Sequence, residues 1–183
     1  MGKPTGFLDY TRVNCLSRDA AARTGDYAPV ELPLSERNRR RQSGRCMDCG
    51  VPFCQAGASF EGVLLGCPLH NLIPEWNDLL WNGNYEGALQ RLLKTSPFPE
   101  FTGRVCPALC EGACVCGQVS EPVTIRENEL SIIEYGFEND LMQPMPHCNL
   151  DYSVCCVRED RRALRSWHYR NDPADLVRHQ SCR

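Results

Sequence analysis

Apolar residues recur at helical spacing in two adjacent segments near the middle of the chain. Residues 72–81 place leucine, isoleucine and tryptophan on one side of a helix, and residues 85–94 repeat the pattern with alanine and leucine. The Asn-Gly-Asn sequence of residues 82–84 favours a turn between them. The pattern predicts a helical hairpin in which Trp76 and Trp81 pack in the interior rather than contact a substrate.

Other segments predict the elements on either side of this hairpin. Ser35 fits the N-cap of a short helix that ends before Gly44, and residues 122–137 carry isoleucine and leucine at helical spacing. Proline and glycine in residues 97–103 favour a loop. Residues 1–34 are rich in turn-forming residues, so we expect an extended arm over the surface.

The predicted fold class is therefore mainly α, with three parts. These are an irregular N-terminal arm over residues 1–34, a helical domain over residues 35–144 and a C-terminal tail over residues 145–183. The tail contains cysteine and arginine without a periodic core pattern. We interpret it as a divergent, disordered extension or as the out-of-frame end of a truncated gene, and we favour the second interpretation.

Composition indicates a globular protein that works without a membrane or a nucleic acid. Hydrophobic residues make up 42% of the 183 residues and charged residues 23%, and no segment reaches the about 18 apolar residues of a membrane helix. The N-terminus lacks the apolar segment of a secretory signal, so we expect a cytoplasmic location. The net charge of −3 gives no general electrostatic reason to bind nucleic acid.

The 13 cysteines are the most informative part of the composition. Their odd number and their clustering favour metal ligation in a reducing compartment over disulfides. One window contains Cys46, Cys49, Cys54 and Cys67, and the other contains Cys106, Cys110, Cys114 and Cys116. Thiolates so close in sequence can bind adjacent corners of one iron-sulfur cube, although the spacing also suits tetrahedral zinc. We favour iron-sulfur clusters because one structural zinc needs four ligands and the windows offer eight.

Three strings of residues give a specific resemblance. Residues 2–7, 44–54 and 103–114 resemble the N-terminal iron-sulfur domain of the glutamate synthase small (beta) subunit. The same type of domain opens dihydropyrimidine dehydrogenase and related flavin enzymes, and the resemblance spans about residues 2–144. It implies an alpha-helical ferredoxin-like domain that holds two 4Fe-4S clusters, with ligands that interleave along the chain.

The resemblance also implies which residues bind each cluster. Carried onto matching positions, it assigns the first cluster to Cys46, Cys49, Cys54 and Cys114. It assigns the second cluster to Cys67, Cys106, Cys110 and Glu129, where dihydropyrimidine dehydrogenase has a glutamine in place of the glutamate. A carboxylate is a harder donor than a thiolate and should shift the potential of the cluster. The alternative is that Glu129 is an ordinary surface glutamate of a helix.

Three further side chains lie near these candidates in the sequence or share their chemistry. Cys116 lies beside Cys114 and could replace it or Glu129, but we expect it to be a non-ligand. Cys15 has no partner at useful spacing and is expected to be a free thiol. His70 is expected to form a hydrogen bond near a cluster rather than to bind iron.

A local basic run precedes the first cysteine window. It consists of Arg37, Arg39, Arg40, Arg41 and Arg45. The simpler interpretation is a solvated helix face. The alternative is that these arginines offset the negative charge of a thiolate-ligated cluster nearby or of an acidic partner.

The resemblance implies a role in electron transfer. In the family this domain precedes a flavin-binding region with a Gly-x-Gly-x-x-Gly fingerprint, which this sequence lacks, so FAD and NADPH are not expected to bind this chain. Family properties imply that electrons from NADPH pass through flavin and the clusters to the large subunit, where glutamine and 2-oxoglutarate yield glutamate. We therefore expect the relay part of an oxidoreductase of glutamate biosynthesis and ammonia assimilation, without catalytic residues of its own. Its expected partners are the glutamate synthase large subunit and a separate flavin-binding chain.

The main rival hypothesis is an assembly or docking module. In that case clusters, or zinc, would only staple a small core to the large subunit. Such a module would hold its metal without cycling electrons, so reversible reduction separates the two hypotheses.

Overall fold

The computed structural model of the chain describes residue 3 and residues 5–142. This part is rich in helices: α1 (Gly6–Asp9), α2 (Glu36–Ser43), α3 (Ile73–Trp81), α4 (Tyr85–Leu92), α5 (Pro99–Val105), α6 (Leu109–Gly112) and α7 (Ile125–Glu138). Two antiparallel strand pairs join β1 (Leu16–Ser17) to β2 (Glu31–Leu32) and β3 (Ala58–Phe60) to β4 (Val63–Leu65). Short 3-10 turns span Ala22–Thr24, Phe53–Gln55 and Val115–Gln118. The tail predicted over residues 145–183 lies outside the described residues.

The predicted helical hairpin is present and consists of α3 and α4, which pack against each other. Asn84 caps α4, because its side-chain oxygen accepts a hydrogen bond of 2.9 Å from the backbone N–H of Gly87. Trp76 is fully buried on α3. Trp81 is partly buried, with its ring centroid 6.0 Å from that of Tyr10. Both tryptophans therefore serve packing, as expected.

The flanking helices agree with the predictions except at residues 97–103. α2 begins after Ser35 as predicted, although the Ser35 side chain makes no capping hydrogen bond. The prediction of a loop over residues 97–103 is wrong, because α5 begins at Pro99. Proline suits the first turn of a helix, where its missing N–H costs no hydrogen bond and its fixed φ fits the helix.

α5 packs closely on α7. A methyl group added at Gly103 would lie only 2.8 Å from the Cβ of Leu130, so a larger residue would push the two helices apart. Arg104 adds an ion pair of 2.6 Å with Glu134. This contact fixes the position of Cys106, the C-cap residue of α5, relative to α7.

The core lies between α3, α4 and α7. Its fully buried apolar side chains are Ile73, Trp76, Leu80, Ala88, Leu92, Ile125, Ile132 and Ile133. Two amides are also buried here, and the Asn128 side chain donates a hydrogen bond of 2.9 Å to that of Asn77. Their pairing avoids the cost of an unsatisfied buried polar group. None of the helices within residues 3 and 5–142 is long and apolar enough to cross a membrane.

The N-terminal arm is attached to the helices by residues that are distant in sequence. Two ion pairs join it to α6 and α7: Arg12 with Glu111 at 2.7 Å, and Glu31 with Arg126 at 3.0 Å. The backbone N–H of Cys15 also donates to both carboxylate oxygens of Glu127 at 3.1 Å. The pairing of β1 with β2 shapes the arm itself. The arm is therefore fixed against the helical domain.

Leu92→Ala should lower the free energy of unfolding by about 2 to 5 kcal/mol, because it removes a fully buried side chain from the core. The loss should appear as a lower midpoint in a urea titration followed by circular dichroism. Gln90→Ala is the matched control, because Gln90 lies exposed on the same helix and its loss should change the free energy by at most about 0.5 kcal/mol. Equal midpoints for the two variants would contradict the packing of α4 in the core.

Candidate metal centre

Four cysteine side chains from separate segments line one small cavity, which a fifth, Cys116, also borders. Cys46 follows α2, Cys49 lies in the next loop, Cys54 lies in a 3-10 turn and Cys114 follows α6. Apolar side chains, among them Ile73, Val123 and Ile125, complete the wall. All four cysteines are free thiols. The structure thus brings together the four residues that the resemblance assigns to the first cluster.

Local backbone geometry shapes the turn that carries Cys46 and Cys49. The backbone N–H of Cys46 donates to the carbonyl of Ser43 at 3.0 Å, which continues the chain out of α2. Asp48 has a φ of +48°, a left-handed conformation that aspartate tolerates better than most residues. Burial raises the pKa of the Cys46 thiol, whereas the backbone N–H of Asp48 acts to lower it.

Burial and crowding oppose ionisation of these thiols in the free protein. Burial raises the pKa of Cys46 and of Cys54 to about 12, and the negative charges of neighbouring thiolates add to the effect. The thiolate is the form that binds a metal. Several such groups can ionise together only where a positive centre neutralises them. The donor set therefore fits an iron-sulfur cluster, which takes four thiolates.

A second group of donors gathers around Cys110 in α6. Burial raises the pKa of the Cys110 thiol, and the negative charges of Glu111, Cys67, Glu129 and Cys106 raise it further. α6 also contacts α7, which carries Glu129, and β4, which precedes Cys67. The structure thus places the residues that the resemblance assigns to the second cluster in the same part of the domain.

The β3–β4 hairpin positions Cys67 beside the first group. The backbone N–H of Cys67 donates to the carbonyl of Cys54 at 2.7 Å. Gly66 makes this possible, since it has a φ of +77° and a methyl group there would overlap the carbonyl oxygen of Phe53. The two groups are consequently joined through the backbone. This hairpin was not predicted, although Gly62 between apolar segments favours a turn.

Glu129 is buried on α7, with 8% of its surface exposed. Its Oε1 accepts hydrogen bonds from the hydroxyl of Thr102 on α5 and, at 3.4 Å, from the hydroxyl of Ser96. Burial raises the pKa of this carboxyl group, and the two hydroxyls act in the opposite direction. The alternative interpretation of a surface glutamate does not fit this burial. Ser96 and Thr102 lie outside any motif, so no sequence pattern predicts that they contact Glu129.

The remaining candidates have other contacts. Cys116 lines the same cavity as the first group, but its thiol donates to the carbonyl of Glu121 at 3.4 Å. His70 is exposed, with Nδ1 at 3.2 Å from the carbonyl oxygen of Gln55. Cys15 is a free thiol in the arm, and burial raises its pKa. That the three residues are not ligands stays a prediction.

Cysteine thiols gathered on short turns of a small helical domain are typical of one class of protein, the helical domain that carries iron-sulfur chemistry. Residues 23–141 match the family described as dihydropyrimidine dehydrogenase domain II, 4Fe-4S cluster, and the chain belongs to this family. The match confirms the resemblance drawn from the cysteine windows.

Curated relatives of the chain are glutamate synthases. The chain is 53% identical to the glutamate synthase (NADPH) small chain of Bacillus subtilis over 144 residues, which cover 79% of this chain and 29% of that protein. It is 46% identical to the corresponding small chain of Mycobacterium tuberculosis over 147 residues, 80% of this chain and 28% of that protein. It is 42% identical to the glutamate synthase (NADH) of Saccharomyces cerevisiae over 144 residues, 79% of this chain and 6% of that protein. The chain thus spans less than a third of the length of these relatives.

Removal of metal should leave a protein whose stability falls at alkaline pH. In the folded chain the pKa of Cys46 and of Cys54 is about 12, above the ordinary value of 9.0. The folded state therefore holds these protons more tightly than the unfolded state. This contribution to stability is complete below about pH 9 and is lost as the pH rises towards about 12. Anaerobic urea titrations of the chelator-treated protein across this range measure the loss.

A Cys46→Ser, Cys54→Ser double variant is the matched control for this pH dependence. Serine does not ionise in this range, so the free energy of unfolding of the variant should fall less steeply with pH than that of the parent protein. Equal slopes for the two proteins would show that these thiols do not have raised pKa values.

Proposed function

We propose that the chain holds two 4Fe-4S clusters in an alpha-helical ferredoxin-like domain and relays electrons within a glutamate synthase. The first cluster would be held by Cys46, Cys49, Cys54 and Cys114. The second would be held by Cys67, Cys106, Cys110 and Glu129. The observation that supports the proposal best is that Cys46, Cys49, Cys54 and Cys114, which are separated in sequence, line one cavity. Each cluster supplies one-electron chemistry when bound.

The residues of the chain would contribute three things to such a relay. The thiols and the Glu129 carboxylate provide negative donors, and the apolar wall with Ile73 and Ile125 keeps water away from the first group. The backbone hydrogen bond from Cys67 to Cys54 holds the two groups next to each other. α6 carries Cys110 of one group and leads directly to Cys114 of the other. An electron could therefore pass between the groups without leaving the domain.

The partners and the organisation follow from the relatives and the sequence. The names of the small-chain relatives, glutamate synthase (NADPH), support a role as part of a glutamate synthase. In that role the chain would relay electrons between flavin and the large subunit in glutamate biosynthesis. We propose that FAD and NADPH bind elsewhere, in a separate flavin-binding chain or region. Within this chain, the cluster-holding domain would occupy residues 35–144, with the arm over residues 1–34 and a divergent tail over residues 145–183. We place the protein in the cytoplasm, without a membrane or nucleic-acid partner.

The rival, a docking module stapled by zinc, is not favoured. The matching family is described by a 4Fe-4S cluster. Among the described residues, no group of three or more His, Cys, Asp or Glu side chains is arranged to hold a single metal ion. A docking role in which the clusters are never reduced is distinguished from the relay by the redox experiment.

Anaerobically purified protein should contain about eight irons and about eight sulfides per chain. Reduction by dithionite should produce electron paramagnetic resonance signals of two clusters, and air-free reoxidation should remove them. A zinc-containing, iron-free protein would overturn the cluster assignment. Clusters that resist reduction would leave only the docking role.

Glu129→Ala should remove one cluster selectively, because it deletes a single donor of the second group. The iron content should fall from about eight to about four per chain, with one of the two resonance signals retained. Glu138→Ala is the matched control, since Glu138 lies exposed on the same helix and should leave the iron content unchanged. An unchanged iron content in Glu129→Ala would mean that Glu129 is not a required ligand.

A further inference from the structure

Arg45 is fully buried directly before the first cysteine of the first group, with 1% of its surface exposed. All of its hydrogen bonds go to neutral oxygens. Nε donates to the carbonyl of Tyr10 at 3.1 Å, and Nη1 donates to the carbonyl of Pro122 at 2.9 Å. Nη2 donates to the carbonyl of Glu121 at 2.6 Å and to the hydroxyl of Ser120 at 3.2 Å.

The positive charge of Arg45 has no carboxylate partner within the described part of the chain. Other arginines of the domain do have one, such as Arg12 with Glu111 at 2.7 Å and Arg104 with Glu134 at 2.6 Å. Carbonyl oxygens satisfy the donors of a guanidinium but do not neutralise it. A buried charge without a counter-charge is costly, and arginine does not lose its proton in proteins. A negative group close to Arg45 would therefore stabilise its buried charge.

The first cysteine group is the candidate for that negative group. Arg45 adjoins Cys46 in the chain and shares one acceptor with Cys116, which lines the same cavity. The carbonyl of Glu121 accepts from both the guanidinium and the Cys116 thiol, and the hydroxyl of Ser120 lies 3.8 Å from the Cys116 sulfur. The guanidinium is thus linked through the Glu121 carbonyl to a thiol on the wall of the cavity.

We propose that Arg45 is a fixed positive charge that raises the reduction potential of the cluster held by Cys46, Cys49, Cys54 and Cys114. The inference rests on the proposed function. A cluster that gains one electron from a reductant gains one negative charge, and a buried cation stabilises this reduced form more than the oxidised form. Arg45 would therefore raise the reduction potential of the first cluster without raising that of the second. It acts through its charge and not as a ligand.

The competing explanation is that Arg45 only anchors the chain. Its hydrogen bonds tie Tyr10 of the arm to the loop at residues 120–122, so its removal would also disturb packing. Two substitutions separate charge from anchoring. Arg45→Lys keeps the charge but cannot reproduce the planar fork of donors, whereas Arg45→Gln keeps amide donors but removes the charge. Arg37→Gln is the control, because it makes the same change in net charge at an exposed position of α2.

The experiment is a dithionite titration of the four anaerobically purified proteins, followed by electron paramagnetic resonance. At a potential where half of the first cluster is reduced in the parent protein, much less than half should be reduced in Arg45→Gln. Arg45→Lys and Arg37→Gln should titrate like the parent, and the second cluster should not move in any variant. The spectrum of Glu129→Ala identifies which signal belongs to the first cluster.

Each other outcome has a defined meaning. Arg45→Gln that loads both clusters and titrates like the parent overturns the inference while the proposed function stands. If Arg45→Gln loses iron, Arg45→Lys distinguishes the charge role from anchoring. Clusters that Arg45→Lys retains at the parental potential support the charge role. Loss of iron from Arg45→Lys, or an altered potential, overturns the charge role in favour of anchoring. A parent protein without iron would overturn the proposed function itself.

Discussion

Crowding of buried sulfur donors is the constraint on which the rest of this structure depends. Cys46 and Cys54 each lie among other thiols of their group, and burial together with these neighbours opposes their ionisation. The elements that carry the donors are short: α6 has four residues, and the 3-10 turn around Cys54 has three. Such short elements have little stability of their own. Their geometry therefore depends both on what the donors bind and on the larger helices behind them.

α7 takes part both in the core and in the second donor group. With 14 residues it is the longest of the described helices, and Ile132 and Ile133 are fully buried in the core with α3 and α4. The same helix carries Glu129, whose carboxylate is held by hydroxyls from α5 and the preceding segment. A change in core packing would therefore alter the position of Glu129 in the second donor group. In the first group, by contrast, the chain relies on turns and on the bonds of Arg45 to distant carbonyls.

Sequence patterns predicted the parts of the fold that depend on local information. The α3–α4 hairpin follows from a clear helical period, and the two donor groups follow from cysteine strings that match a known family. α5 was not predicted, because proline in this segment favours a loop. Only the structure shows that Pro99 starts a helix. The burial of Glu129 depends on the close approach of α5 at Gly103, which no periodicity reveals. The acceptors of Arg45 also lie outside any motif, since most are more than 70 residues away.

The attachment of the N-terminal arm has a consequence for the order in which the molecule assembles. Arg12 and Glu111 are 99 residues apart, and Cys15 and Glu127 are 112 residues apart. A ribosome makes the N-terminal residues first, whereas contacts between such distant positions form late in folding. The arm is thus synthesised first and can contact α2 and Arg45 early, but its bonds to α6 and α7 can form only after those helices have emerged. The first residues to be made are therefore among the last to complete their contacts.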